Sequence, residues 1–388
     1  MTDIVEIRRS DDPRDVIHRV CEALAQGELV GLPTETTYIV VASALSEPGV
    51  AKLKALAAST ADSSNPAAAQ LPRYELLLKA AEEALDYLVE QSRYGRKLIR
   101  RCWPGPVTLR FPGKHCGWFF NKLPAPTRDI LHHRDGAVSF RVPAHTLPAD
   151  ILSLLPGPLV ALAEVQPQPV PMRLATDISQ AYGPSLTLIV DDGPSRYGEP
   201  GTVIEIGDHD WKIAHAGVVS DRTMGRLASE VILFACTGNT CRSPMAEVLF
   251  RKLLSEKLAC PEEELVDHGF VVLSAGLAAA IGAPANPEAI ALLSEEGLDL
   301  RNHESQPLTE RLLQQVDMIY TMTRGHRDAI LAERPDLASR VRTLSAVGKD
   351  IADPIGGGRE IYRDCKQTIE THLQQIIQDL LSIRSQPS

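Results

Sequence analysis

From Glu230 onward, short apolar runs alternate with amphipathic stretches along the chain. Residues 231–235 are continuously apolar, as expected of a strand buried on both faces, and residues 270–274, 317–321 and 341–344 read as further strands. Between them, residues 244–256, 287–296 and 325–333 read as helices. A long final helix places Tyr362, Cys365, Ile369, Leu373, Ile376 and Leu380 at steps of three and four residues, on one face. This alternation predicts a four-stranded parallel sheet with helices on both faces. Near the N-terminus, Val16, Ile17, Val20 and Leu24 form a helical stripe that Asp11 to Pro13 open and Gly27 closes. Residues 29–32 and 39–42 follow as strands, so this half reads as a second, twisted open α/β sheet with a concave face.

A chain of 388 residues exceeds one typical core. The expected division is into domains 1–210 and 229–388, with a short connection beginning at the polar run Gly207-Asp208-His209-Asp210. A formal net charge of -10 argues against general nucleic-acid binding by the whole chain. Seven thinly spread cysteines suit reduced thiols, and no apolar run is long enough to span a bilayer, which gives a cytoplasmic expectation with no membrane partner. The sequence does not indicate an oligomeric state.

Residues 236–242 join the first strand of the second half to its first helix. Ser243 suits the helix N-cap and Pro244 its first position, while Met245, Leu249 and Leu253 share one face. A loop that wraps into a helix N-terminus presents N–H groups and the positive end of the dipole to one point, a site for an anion. Cys236 opens the loop where thiolate, the nucleophilic form, is favoured. Arg242 closes it with a fork of donors suited to a tetrahedral oxyanion, and Gly238 is expected to permit the tight backbone path.

The loop Cys-Thr-Gly-Asn-Thr-Cys-Arg-Ser followed by Pro-Met-Ala-Glu resembles the low-molecular-weight protein tyrosine phosphatase family. The resemblance implies that Cys236 is the nucleophile of a cysteinyl-phosphate and that Arg242 is the anion clamp, with Thr237, Gly238, Asn239, Thr240, Cys241 and Ser243 lining the phosphate. It further implies that Asn239 and Ser243 shape the loop and hydrogen-bond the nucleophile. Asp353, in an Asp-Pro pair before the last helix, then serves as acid and afterwards as base. The implied partner is a phosphorylated protein, and no cofactor or metal is needed. Cys241 has two readings, a reversible disulfide with Cys236 under oxidant or a small residue packed under the loop. Thr240, together with Ile355 and three glycines instead of aromatic residues after the Asp-Pro, resembles the protein arginine phosphatase branch and implies phosphoarginine over phosphotyrosine.

In the first half, Pro-Thr-Glu-Thr-Thr-Tyr at 33–38, Trp-Pro-Gly-Pro-Val-Thr at 103–108 and Arg-Val-Pro at 141–143 resemble the YrdC/Sua5 family in composition and order. That family makes threonylcarbamoyl-adenylate from threonine, bicarbonate and ATP for tRNA modification. The resemblance implies ATP and L-threonine as ligands, a link to the tRNA pathway, and ligand contacts from Thr34, Tyr38 and Arg141. The family's K-x-R-P stretch is absent, since Ala57, Ala58, Ser59 and Thr60 stand there and only Asn65-Pro66 remains. Its S-A-N triplet is replaced within Ala161-Leu162-Ala163-Glu164-Val165, which brings in a carboxylate, and its glycine after Tyr38 is Ile39. Two missing cations forfeit charge-assisted phosphate contacts of roughly 1.5 to 3 kcal/mol each. The expectation is a YrdC-like domain impaired as a synthase. The alternatives are a bifunctional protein with an active synthase and a non-catalytic module that binds nucleotide, RNA or an amino acid.

Overall fold

The computed structural model describes residues 2–59, 74–89, 91–162 and 171–385. The chain divides into two compact units, Met1–Leu227 and Ala228–Ser388. Each has its own sheet.

In the first unit the strands are β1 (Asp3–Glu6), β2 (Val30–Pro33), β3 (Tyr38–Ser43), β4 (Tyr74–Leu77), β5 (Val107–Pro112), β6 (Ala137–Arg141), β7 (Leu159–Leu162), β8 (Leu188–Asp191), β9 (Thr202–Ile206) and β10 (Trp211–His215). Among the described residues they form one mixed sheet in the order β1-β8-β2-β3-β7-β4-β6-β5-β9-β10. The predicted first helix spans Pro13–Ala25. Asp12 caps it by accepting from the Arg14 N–H, and Val16, Ile17, Val20 and Leu24 are buried in the core beside β2 and β3. Gly27 follows at φ +75°, a conformation that glycine adopts without cost. β2 and β3 pair antiparallel up to Pro33 opposite Tyr38, so Thr34 to Thr37 form the turn of this hairpin.

The polar run after Ile206 is a hairpin turn. β10 pairs antiparallel with β9, Trp211 lying opposite Ile206, and a helix follows at Asp221–Ala228. β10 is legible only poorly in the sequence because it is a sheet edge whose residues are half-buried or exposed, so no clean alternation marks it.

The second unit is the predicted parallel sheet. β11 (Glu230–Cys236), β12 (Phe270–Gly276), β13 (Met318–Thr321) and β14 (Val341–Thr343) lie in the order β12-β11-β13-β14, and every pairing is parallel. β11 is buried along its whole length, which explains its unbroken apolar run. Its side chains alternate between two cores. Ile232 and Phe234 face one that holds Leu249, Phe250 and Ile369, while Val231, Leu233 and Ala235 face another that holds Leu313, Ile330 and Leu337. The final helix, Arg359–Ser385, buries the predicted stripe from Tyr362 to Leu380 against the first of these cores.

The helix after the loop spans Arg242–Leu258 and begins two residues earlier than its pattern predicts. Its cap residue is Cys241, which makes no side-chain capping bond, so Ser243 is not the N-cap and lies in the first turn. Among the described residues, no helix is long and apolar enough to cross a membrane.

Candidate active site

Cys236 is the last residue of β11 and lies in register with Gly276, the last residue of β12. In parallel sheets, ligands bind beyond these C-terminal strand ends. The chain must turn sharply there to re-enter as a helix, and it does so at Asn239, with φ +54°. The expectation had given the permissive position to Gly238. A Cβ on Gly238 would meet only the Thr240 hydroxyl, at 3.7 Å, so the left-handed residue is its neighbour. Asparagine tolerates this region better than most residues, and here its polar atoms are held on every side. Asn239 Nδ2 donates to Ser243 Oγ (3.0 Å) and Ser274 Oγ (2.9 Å), and Oδ1 accepts from the Gln306 N–H (2.9 Å). The Asn239 carbonyl lies 2.7 Å from His303 Nε2; since a carbonyl only accepts, that nitrogen carries the proton.

These bonds set the surroundings of Cys236, which is buried. Its Sγ accepts from the Asn239 N–H (3.3 Å) and lies 2.9 Å from Ser243 Oγ. Ser243 Oγ accepts from Asn239 and has two acceptors for its single proton, the sulfur and, farther away, the Ala275 carbonyl (3.4 Å). The polar chain continues inward, where Ser274 Oγ donates to Glu247 Oε2 (2.6 Å). Burial raises the Glu247 carboxyl above its ordinary pKa.

Gly276 lets β12 approach the loop. A Cβ there would lie 2.5 Å from the Thr237 carbonyl oxygen and 2.9 Å from the Asn239 nitrogen. The sequence reading passed over Gly276, Ser274, His303 and Gln306. A glycine closing an apolar strand run was a faint signal for the first. The other three reach the loop from 35 to 67 residues away.

Arg242 is buried in the first helical turn. Nη1 donates to the Ile351 carbonyl (3.1 Å), and Nη2 pairs with Asp353 Oδ2. Asp353 Oδ1 accepts from the Ile355 N–H (3.2 Å), an Asx turn that orients the carboxylate, and Gly356 follows at φ +76°. Cys236, Arg242 and Asp353, spread over more than a hundred residues of sequence, therefore meet at one strand end. Around them, Thr237 is exposed, with Oγ1 2.8 Å from His326 Nε2, and Thr240 is half-buried. Cys236 and Cys241 are both free thiols; Cys241 is buried with Sγ 3.4 Å from Tyr362 Oη on the final helix.

In the first unit, Thr34 stabilises the β2–β3 turn. Its hydroxyl donates to the Thr37 carbonyl (2.7 Å) and accepts from the Thr36 and Thr37 N–H groups. It also borders a cavity of about 500 Å³ lined by Arg8, Glu35, His145, Asp192 and Arg196 among others. Tyr38 Oη donates to the Gly193 carbonyl (2.7 Å), and burial pushes its hydroxyl pKa upward. Arg141 is 1% exposed. Its Nη2 donates to Glu35 Oε1 (3.0 Å) and Thr36 Oγ1 (2.7 Å), and its Nη1 lies 3.7 Å from Glu75 Oε1. The arginine expected to contact a ligand is thus paired with two carboxylates of the chain itself. Thr60, Asn65-Pro66 and the segment Ala163 to Val165 lie outside the described residues.

Residues 231–385 match the family model described as low molecular weight phosphotyrosine protein phosphatase, and residues 22–217 match the Sua5/YciO/YrdC model described as telomere recombination. A protein-arginine-phosphatase of Bacillus subtilis (strain 168) is 37% identical over 153 residues, covering 38% of this chain and 95% of the relative. The low molecular weight protein-tyrosine-phosphatase Wzb of Escherichia coli (strain K12) is 30% identical over 151 residues, covering 38% of this chain and 94% of its own. The solved structure of the YwlE arginine phosphatase from Geobacillus stearothermophilus is 34% identical, covers 41% of this chain and 99% of that one, and superposes with a TM-score of 0.35.

Asn239→Ala removes both donors and the acceptor that freeze the loop and leaves buried partners unsatisfied, at about 1 to 3 kcal/mol for each orphaned group. Binding of inorganic phosphate, followed by calorimetry, is expected to weaken by about 10- to 100-fold while the far-ultraviolet circular dichroism of the full chain stays unchanged.

Proposed function

Because the chain belongs to the low-molecular-weight protein phosphatase family over residues 231–385 and to the Sua5/YrdC family over residues 22–217, we propose that its second unit dephosphorylates proteins through a cysteinyl-phosphate on Cys236, with phosphoarginine favoured over phosphotyrosine. The observation that carries this reading is the loop at the end of β11, where the Asn239 N–H is directed at the Cys236 sulfur and the buried Arg242 is paired with Asp353.

In the first step the Cys236 sulfur attacks phosphorus. The S–P bond forms as the bond from phosphorus to the leaving nitrogen or oxygen breaks, and protonated Asp353 gives its proton to the leaving atom. Arg242 and the loop N–H groups hold the equatorial oxygens, where negative charge concentrates. In the second step water attacks the cysteinyl-phosphate while the Asp353 carboxylate takes a water proton, and inorganic phosphate and the Cys236 thiolate are released.

Two features support phosphoarginine. The Thr240 hydroxyl can hydrogen-bond a guanidinium nitrogen, which a branched aliphatic side chain cannot. The segment after Asp353 is Pro354, the exposed Ile355 and three glycines, with no ring to stack on a phosphotyrosine. The relative named as a protein-arginine-phosphatase points the same way.

For the first unit we propose a ligand-binding module impaired as a synthase. The reading rests on the alanines and serine that stand at the family's cationic positions and on the pairing of Arg141 with Glu35 and Glu75. The cavity bordered by Thr34 gives such a module room for a small ligand, with L-threonine and ATP as the first to test.

Acid quenching of the enzyme during turnover is expected to trap phosphate on Cys236. Cys236→Ser should abolish turnover, and Asp353→Asn should lower kcat by about 100- to 10,000-fold; turnover by the serine variant would overturn the mechanism. Phosphoarginine peptides should be cleaved with a higher kcat/KM than phosphotyrosine peptides, and Thr240→Ile should narrow or invert that ratio; the opposite preference in the unaltered chain would reject the substrate assignment. Incubating the full chain with ATP, threonine and bicarbonate should yield no threonylcarbamoyl-adenylate by mass spectrometry, and its formation would show the synthase to be intact.

A further inference from the structure

Thr237 follows the nucleophile directly and is exposed at the rim of the phosphate loop, whereas Asn239, Cys241 and Ser243 are buried beneath. Its backbone is fixed, because its carbonyl accepts from the Ala278 N–H (2.9 Å). Among the described residues its side chain hydrogen-bonds one partner, His326, whose Nε2 lies 2.8 Å from Thr237 Oγ1. A threonine hydroxyl on a rim would otherwise turn among rotamers.

His326 is itself held firmly. Residue Thr321 of β13 lies in register with Ala235 of β11, so the chain leaving β13 emerges beside the Cys236 loop. Thr323 then caps the helix Arg324–Glu333 by accepting from the His326 N–H (3.1 Å), which places the histidine in the first turn. The other ring nitrogen, Nδ1, is buried and has no hydrogen-bond partner among the described residues. A buried N–H without an acceptor costs more than a buried lone pair, so the single proton of the neutral ring belongs on Nε2. His326 therefore donates to Thr237 Oγ1. That bond uses one lone pair and leaves the hydroxyl with its own proton and a second lone pair.

The charged groups facing this ring are the Arg242 guanidinium and the carboxylates of Asp353 and Asp350. Burial, aided by Arg242, outweighs the two carboxylates and lowers the pKa of His326, which keeps the ring neutral at physiological pH.

We propose that His326 is a specificity-determining positioning residue, which holds the Thr237 hydroxyl at the loop rim as a hydrogen-bond acceptor for the guanidinium that carries the phosphoryl group. The inference deepens the phosphoarginine reading and rests on it. A guanidinium is planar and carries N–H donors along its edge, so it needs fixed acceptors beside the phosphate. Thr237 and Thr240 are the two hydroxyl-bearing residues between Cys236 and Arg242. The aryl leaving group of phosphotyrosine has no such donors and gains nothing from a fixed hydroxyl there.

The test is steady-state kinetics of the full chain with a phosphoarginine peptide and with p-nitrophenyl phosphate, an aryl ester without a guanidinium, together with inhibition by inorganic phosphate. His326→Leu is expected to raise KM for the phosphoarginine peptide by about 5- to 10-fold, with kcat, KM for the aryl ester and the phosphate inhibition constant each within about two-fold. His326→Gln, whose amide restores a donor near Nε2, should recover most of the loss. Thr237→Val should raise the phosphoarginine KM at least as much, and the double variant His326→Leu/Thr237→Val should raise it no further than Thr237→Val alone. An unchanged phosphoarginine KM in His326→Leu overturns the proposal, as does an equal rise for both substrates or a shift in phosphate inhibition, since these mark a purely structural support of the loop. If the unaltered chain cleaves the aryl ester but not the phosphoarginine peptide, the substrate reading falls and this inference with it; if it cleaves both and the variants match it, the inference alone falls.

Discussion

One left-handed residue holds the second unit's chemistry together. β11 ends at Cys236 and the helix begins at Arg242, and the chain makes that reversal with Asn239 at φ +54° and its N–H turned toward the Cys236 sulfur. Asn239 takes the position and is kept there by partners from three other segments: Ser243 in its own helix, Ser274 on β12, and His303 with Gln306 in the segment between β12 and β13. Glycine would reach the same conformation more cheaply but could not anchor it. Reach alone would leave a floppy loop. The asparagine supplies both the bend and the anchor, and the geometry of Cys236 and Arg242 depends on it.

What the sequence revealed and concealed follows from the range of each interaction. The strand at 231–235, the loop and the helical stripes were legible because burial on a sheet or a helix face repeats over a few residues. Cys236 and Arg242 were legible because the loop is a local motif, and Asp353 because it sits in a recognisable pair before a long helix. Ser243 reads as an N-cap from the local pattern because serine suits that position, but the helix begins at Arg242 with Cys241 as its cap, and the Ser243 hydroxyl lies 2.9 Å from the sulfur. Gly238 was credited with a turn that its neighbour makes, since glycine is the commoner left-handed residue. His303, Gln306 and His326 carried no local signal, because each becomes meaningful only when distant segments pack beside the loop. β10 was hidden for a different reason: an edge strand that is only half-buried lacks the alternation that betrays a core strand.

The two units treat a comparable problem in opposite ways. In each, a buried arginine stands beside residues that the sequence marks as ligand-facing. In the first unit Arg141 is matched by Glu35 and Glu75, both buried carboxylates, within a network that also includes Thr36 and Thr108. Removing one member of such a network would leave a buried charge without its partner, so the arrangement fixes the Arg141 side chain where it lies. In the second unit Arg242 meets, among the described residues, one carboxylate, and the side chain of Asp353 is 44% exposed.

That difference gives Asp353 a second identity, as a resident counter-ion. On the proposed mechanism, a phosphoryl group arriving at the loop would compete with this carboxylate for Arg242, and the same carboxylate would compete with the departing phosphate. The site carries its own anion, three residues before Gly356 with its φ of +76°. Such an exchange of one anion for another would make phosphate binding weaker, and its release faster, than at a guanidinium with no carboxylate beside it.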